Sequence, residues 1–454
     1  MQNQFLGLES KPAVQFFSFS VPAVLGMLLT SGIIIVDGLF IGNCIGRAGL
    51  ASVNLTLPVI YLFMGVTIMI GAGGSVKAGH ALGAGMEDRA GQWFSLTAAL
   101  AAGVVGVLTA ACFVFFDPLI HLLNTDPGLH IFLKTYLETI LVFYPAMMMN
   151  IVFSIFLRTQ GRPGLSLVFG LAGNSLNIVL DYVMIARLGM GLRGAALASG
   201  FSVTVPMCCG ILWFIRGRSV LRFRAFTWQL GDAGQLFLNG SSEMIGQISI
   251  GITTWVFNRV MLARIGIDGL AAYTIAGYAA FVQFMVITGF AIGLAPIVGY
   301  SFGARKTAHI RTVMQIALVS GAVTGFLCWM VVLFSATGIA ALFSPGNPHI
   351  RFLAQSGFGL FAAAFLFNGF NILITAYFTA LGNAKISAAI AVMRGLVLIN
   401  VFVVCLPRVM GDAGIWLSYP LAEIVTLFFA LAWFKKSFRS LEANSATAYE
   451  SMRA

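Results

Sequence analysis

Apolar runs of bilayer length recur along the chain from near residue 14 to residue 434, each closed by a charged or Gly/Pro-rich break. In the first half they fall near 14–41, 51–82, 92–116, 129–157, 165–188 and 194–216. In the second half they fall near 234–262, 270–302, 310–338, 350–380, 386–407 and 413–434. Twelve such segments predict an all-α polytopic membrane protein; a barrel would instead show short strands of alternating polarity. The first run is too long for the apolar core of a secretory leader and has no small-residue cleavage site behind it. It is expected to remain as the first span.

The polar positions inside these runs carry more information than the apolar ones. Asn174, Asn177 and Asp181 are spaced three and then four residues apart, so on a helix two carboxamides and a carboxylate share one face. An acid facing hydrocarbon costs about 2.5–3.5 kcal/mol on insertion scales, so this face should turn toward a protein cavity. Five of the fifteen acids lie within predicted spans: Asp37, Glu138, Asp181, Glu243 and Glu423. Each is a candidate functional group unless it pairs with one of the intramembrane bases Lys77, Arg259 or Arg394. Asp37 and Asp181 lie deepest in their runs, whereas Asn239, Ser241 and Ser242 make Glu243 look like the polar start of a helix. Two carboxylates in one low-dielectric pocket cannot both ionise cheaply unless a cation bridges them, so such a pair suits H⁺ or Na⁺, with amide and hydroxyl oxygens completing a hard-cation shell.

The two halves repeat. Gly49-Leu50-Ala51 recurs as Gly269-Leu270-Ala271 and Gly83-Ala84 as Gly303-Ala304, both displaced by 220 residues. Asn150 matches Asn371 and Gly161 matches Gly382 one residue further on; Gly194 and Leu197 then match Gly414 and Leu417. Six spans per copy insert both copies in the same sense, related by an axis along the membrane normal. The predicted organisation is a six-helix lobe over 1–216, a cytoplasmic linker over 217–233, and a second lobe with a cytoplasmic tail over 234–454. The second-copy counterparts of Asp37 and Asp181 are Phe257 and Phe402, so the carboxylate pair belongs to the first lobe alone.

Composition agrees and removes other classes. With 59% hydrophobic residues, 9% charged and a mean hydropathy of +0.94, the chain is far from the roughly 25% charge of a soluble domain. The net charge of +11 is topological: alternate breaks hold Arg158, Arg162, Arg216, Arg222, Arg305, Lys306, Lys435 and Lys436, which places both termini in the cytoplasm and leaves no reason to invoke nucleic acid. The six cysteines show no paired spacing and read as small hydrophobes. Five scattered histidines form no metal spacing and no phosphate-binding glycine loop is present, so neither an enzyme nor a nucleotide-driven pump is expected, and no cofactor.

An ordered set of features resembles the multidrug and toxic compound extrusion (MATE) family, in the branch with its cation site in the amino-terminal lobe (DinF-like or MepA-like). These are Pro22 ahead of Asp37, Leu82-Gly83-Ala84-Gly85, Arg158-Thr159-Gln160-Gly161, Asn177 to Asp181, and Gly194 to Ser199. The resemblance implies a cation-coupling site at Asp37, Asn177, Asp181 and Ser199, with Asn174 and Tyr136 close by; these residues would hold Na⁺ if coupling is to sodium. It makes Pro22 a switch tied to the state of Asp37, where a static kink is the alternative. Some members carry an acidic cluster in the second lobe, of which Glu243 is the plausible remnant here. The implied function is a monomeric multidrug efflux antiporter of the cell (inner) membrane, among membrane lipids, exchanging small cationic or amphipathic compounds for H⁺ or Na⁺. The alternative is a lipid-linked oligosaccharide flippase of the same superfamily, against which the count of twelve spans and the intramembrane acids weigh.

Overall fold

The computed structural model describes residues 11–123, 127–216, 219–227, 230–343 and 348–451. The loop acids Glu9 and Asp126 and the basic Arg218 lie outside the described residues. The first half forms α1 (Pro12–Cys44), α2 (Arg47–Gly83), α3 (Glu87–Val114), α4 (Phe116–Leu123), α5 (Pro127–Leu141), α6 (Tyr144–Thr159), α7 (Pro163–Asp181) and α8 (Gly191–Ile215). The second forms α9 (Leu230–Arg264), α10 (Ile267–Gly303), α11 (Thr307–Phe343), α12 (Pro348–Leu353), α13 (Gly359–Ala362), α14 (Phe365–Ala380), α15 (Ala384–Val392), α16 (Leu398–Met410) and α17 (Ala413–Ser451). Wider π turns follow α7 at Tyr182–Arg187, α12 at Ala354–Phe358 and α15 at Met393–Val397. No strand occurs among the described residues, so the all-α expectation holds.

Among the described residues ten stretches are long and apolar enough to cross a bilayer, and the bent pair α5 and α6, at 50° to one another, makes an eleventh. The sequence predicts twelve, and the difference lies at the expected seventh span. That segment does form the 35-residue helix α9. Its Gly-, Ser-, Gln- and Asn-rich face keeps it below the hydropathy of a lipid-facing span.

The internal repeat is visible in the backbone. Helices α2 and α10 both have 37 residues, and α6 and α14 both have 16. Left-handed turn residues recur with them: Gly46 (φ 92°) and Gly266 (91°), Gly161 (84°) and Gly382 (75°), Gly191 (57°) and Gly411 (61°). These turns stop one helix and aim the next, which is why glycine occupies them. Gly85 (φ 76°) breaks the pattern, because its counterpart is Arg305 (φ 55°).

The chain condenses into two compact units, and both divisions fall inside helices. One unit runs over Leu25–Gly240; the other takes α1 through Val24 together with the chain from Ser241 onward. Within the first unit the opening half of α9 lies on α2, so that a Cβ at Gly73 would strike the Leu236 backbone. Within the second, the opening half of α1 lies on α10, where a Cβ at Gly293 would strike Ser20. Gly73 and Gly293 are repeat equivalents, so each copy brings a helix close at the same glycine, although the facing residues Leu236 and Ser20 stand one turn apart in the repeat. The core of the first unit gathers Phe63, Leu133, Leu137, Leu141, Tyr144 and Met148; that of the second gathers Phe257, Met261, Phe358, Phe361, Phe365 and Trp416. The basic stretch read as a linker is docked on the first unit. There Ser219 donates to Gln160, the Arg224 backbone N–H donates to Ser95 Oγ (2.8 Å), and the Arg224 guanidinium pairs with Asp88 (2.7 Å).

Candidate functional site

Pro163 opens α7 in its first turn, where the missing N–H is harmless, and the helix then runs to Asp181. Its buried positions are Ser166, Gly173, Asn177 and Asp181, a stripe that places the last two one turn apart on the inward face. Asn177 is 3% exposed and Asp181 1%. The π turn at Tyr182–Arg187 begins immediately after Asp181, a local widening that often accompanies a functional position in a helix.

Asp37, half-buried on α1, brings its carboxyl group within hydrogen-bonding reach of that of Asp181. Tyr136 on α5 stands close enough to interact electrostatically with both acids, and it packs on a small cluster of Ile41, Ile185, Leu192 and Ala195. Neither acid is in an ion pair with a described residue. Asp37 Oδ1, Asp181 Oδ2 and both side-chain polar atoms of Asn177 are buried and have no protein hydrogen-bond partner. Four unpartnered polar atoms within one small region are unusual, since buried polar groups are nearly always satisfied. Two carboxyls can share a hydrogen bond only when a proton lies between them, and can otherwise approach so closely only around a cation.

The remaining predicted site residues lie nearby in the chain without a direct bond to the pair. Asn174 is half-buried one turn before Asn177. Ser199 is half-buried on α8, and its carbonyl accepts the Ser202 hydroxyl (2.8 Å). Neither side chain hydrogen-bonds to Asp37 or Asp181. Pro22 lies in the interior of α1, two residues before the helix passes from one compact unit into the other. It leaves the Ser18 carbonyl without its helical donor at that point.

The other intramembrane acids resolve differently. Glu138 is exposed and Glu243 half-buried, with no ion pair to a described residue. Glu423, 1% exposed, is fully engaged: the Arg394 guanidinium donates to Oε1 at 2.9 and 3.2 Å, and Asn371 Nδ2 donates to Oε2 at 2.7 Å. Of the three bases considered as partners, Arg394 alone takes an acid. Lys77 and Arg259 lie over the rings of Trp93 and Trp255.

The bonds of Glu423 belong to a longer buried network. Arg394 also bonds to Tyr419, whose hydroxyl accepts from Asn368 Nδ2 (3.2 Å), and Asn368 exchanges two bonds of 2.9 and 3.0 Å with Gln283. Sequence spacing does not reveal this network, because its members come from α10, α14, α17 and the π turn after α15. The signals available were an arginine inside an apolar run and Asn371 as the repeat partner of Asn150.

A bundle of spanning helices built as a repeat, with a carboxyl pair lacking a base inside one copy, has the architecture of a membrane transport protein. The chain belongs to the MatE family, the multidrug and toxic compound extrusion transporters: the family profile matches it twice, at residues 22–183 and 245–406. It is similar to the multidrug export protein MepA of Staphylococcus haemolyticus, 28% identical over 93% of both chains. It is also similar to MepA of Staphylococcus aureus, 25% identical over 92% of this chain and 93% of that one. Among solved structures, a MATE protein in complex with MaL6 superposes with a TM-score of 0.89 at 20% identity, covering 96% of this chain and 98% of the other. An outward-facing multidrug resistance MATE family transporter gives 0.88 at 21% identity, covering 96% and 97%.

Proposed function

We propose that this chain is a secondary active efflux antiporter that exports cationic or amphipathic organic compounds in exchange for inward H⁺ or Na⁺. The observation that carries the proposal is the Asp37–Asp181 pair: two carboxyls in mutual reach, no base beside them, and the amide of Asn177 unpartnered on the same face. Such a pair is stable in two loaded forms. With a proton, one carboxyl becomes the donor to the other. With Na⁺, both carboxylates and the Asn177 amide oxygen supply hard ligands.

Stripped of either ion, two close negative charges in a dry site repel. The free energy of occupancy is therefore tied to the separation of α1 from α7. Asn174, Ser199 and Tyr136 complete the surroundings, which corresponds to the branch coupled through its amino-terminal lobe. Pro22 supplies the bend in α1 through which that separation is transmitted. The name borne by the MepA relatives, multidrug export protein, supports the substrate class.

The test is transport in proteoliposomes with a pH gradient or a Na⁺ gradient imposed separately. Export driven by one of them, and lost in Asp37→Asn and Asp181→Asn with the protein still folded and inserted, supports the assignment. Normal export by both variants overturns it. We further propose a multi-pass cell-membrane protein with cytoplasmic termini, acting as a monomer. Labelling at position 222 from outside intact cells would contradict that orientation, and cross-linked dimers as the sole active species would contradict the monomer.

A further inference from the structure

We propose that the groove between the start of α11 and the end of α17 is a binding site for an anionic phospholipid, the phosphate held by Arg311, Lys435 and Arg439 and an acyl chain lying along the apolar floor. The groove encloses a cavity of about 250 Å³ lined by those three bases with Met314, Gln315, Leu318, Phe434 and Phe438. Both helix ends stand at the edge of the apolar core: the α11 span begins at Thr307 and the α17 span ends at Ser440. That is the depth of a lipid headgroup.

The arrangement is graded as a phospholipid is. Arg311, Gln315, Lys435 and Arg439 are exposed, Leu318, Phe434 and Phe438 are half-buried, and Met314 is buried. No acid stands among the lining residues, so the net field favours an anion. Arginine forks match the oxygens of a phosphodiester, with Lys435 as an added point charge.

The floor is fixed. Phe434 and Phe438 pack at 4.7 Å against each other and at 5.1 and 5.5 Å on the buried Tyr377, whose hydroxyl bonds to Ser437 (3.0 Å). A loose set of surface bases would attract any anion weakly. Three bases over a rigid apolar slot select an anion that carries hydrocarbon, which free phosphate does not. The inference requires only that the chain resides in a bilayer, and is independent of which ion drives transport.

The experiment is native mass spectrometry of the full-length protein released from nanodiscs containing equal phosphatidylglycerol and phosphatidylcholine. The expected result is retained phosphatidylglycerol at least about tenfold over phosphatidylcholine. In Arg311→Gln/Lys435→Gln/Arg439→Gln that preference should fall to near parity. A charge-matched control, Arg193→Gln/Arg216→Gln/Lys385→Gln, should keep it, and thermal unfolding in detergent should report both variants folded. Equal loss in the two triple variants would mean bulk charge and overturn the site. So would displacement of the retained lipid by millimolar inorganic phosphate, which would indicate an anion site without lipid selectivity. Leu318→Trp, which fills the slot and keeps every charge, should also lower phosphatidylglycerol retention, and unchanged retention would remove the acyl-chain part.

Discussion

The two copies of the repeat deal with buried polarity in opposite ways. In the first unit Asp37 and Asp181 face each other without a base, and the neighbouring Asn177 has no partner. At the equivalent positions of the second unit stand Phe257, 1% exposed in the hydrophobic core, and Phe402, packed against the same cluster. The fully buried acid of the second unit, Glu423, lies elsewhere and is satisfied by Arg394, Asn371 and, through Tyr419, a chain of amides. An acid with every oxygen paired is held in one state. An acid pair with oxygens left open has capacity for a further partner, and the proposed coupling role rests on that difference more than on burial.

The largest effect expected from breaking this contrast is at the open pair. Asp37→Asn and Asp181→Asn keep size and lose the titratable oxygen, so gradient-driven export should drop to background in each while folding and insertion persist. Glu243→Gln, outside the pair, should reduce export much less. Vesicle flux with an imposed gradient is the readout. If Glu243→Gln alone were inactive, coupling would belong to the second unit.

The next effect is on stability and belongs to the closed network. Arg394→Met alone strands the buried Glu423 carboxylate and should destabilise the protein by about 3–5 kcal/mol. Arg394→Met/Glu423→Leu removes both charges and should recover most of that loss, because apolar groups of similar volume replace a buried pair at little net cost. Thermal unfolding in detergent measures both. A single mutant as stable as the parent would show that the pair is solvated and not buried. The matching substitutions at Asp37 and Asp181 should not destabilise, since each removes one of two like charges and strands no counter-ion.

A smaller effect tests what the two copies share. Gly73→Ala and Gly293→Ala each drive a Cβ into a facing backbone, so each should cost about 1–3 kcal/mol of stability, and by similar amounts because equivalent glycines each meet backbone atoms of the facing helix. Unequal losses would mean that the two crossings differ in rigidity.

How much of this was legible follows from the range of each signal. The spans, the repeat and the pair Asp37 and Asp181 stood out because hydropathy, glycine offsets and acids in apolar runs are local features. Gly46 and Gly266 keep the same offset in sequence and the same backbone angle in the fold. By contrast, Gln283, Asn368, Tyr419 and Glu423 meet through tertiary packing of three helices, and no spacing relates them. The passage of α1 and α9 from one compact unit to the other was likewise hidden, because apolar periodicity does not mark which neighbour a helix half will meet. Helix α9 fell below the other spans in hydropathy for a physical reason: its Gly, Ser, Asn and Gln positions suit contact with protein more than with lipid.

The smallest expected effect lies where the copies differ by one backbone residue. Gly85 and Arg305 both end the turn after a 37-residue helix with positive φ, 76° and 55°. Glycine enters that region freely, whereas an L side chain there loses about 1–2 kcal/mol to the contact between Cβ and the carbonyl. Replacing Arg305 by glycine relieves that strain but gives the unfolded chain more freedom, worth about 0.5–1 kcal/mol in the other direction. Arg305→Gly should therefore stabilise the fold by about 0.5–1 kcal/mol, seen as a small rise in the unfolding midpoint. Gly85→Arg should lose stability by a comparable amount. A loss of stability in Arg305→Gly would mean that the arginine side chain makes contacts worth more than its backbone strain, and that the second copy retains it for those contacts.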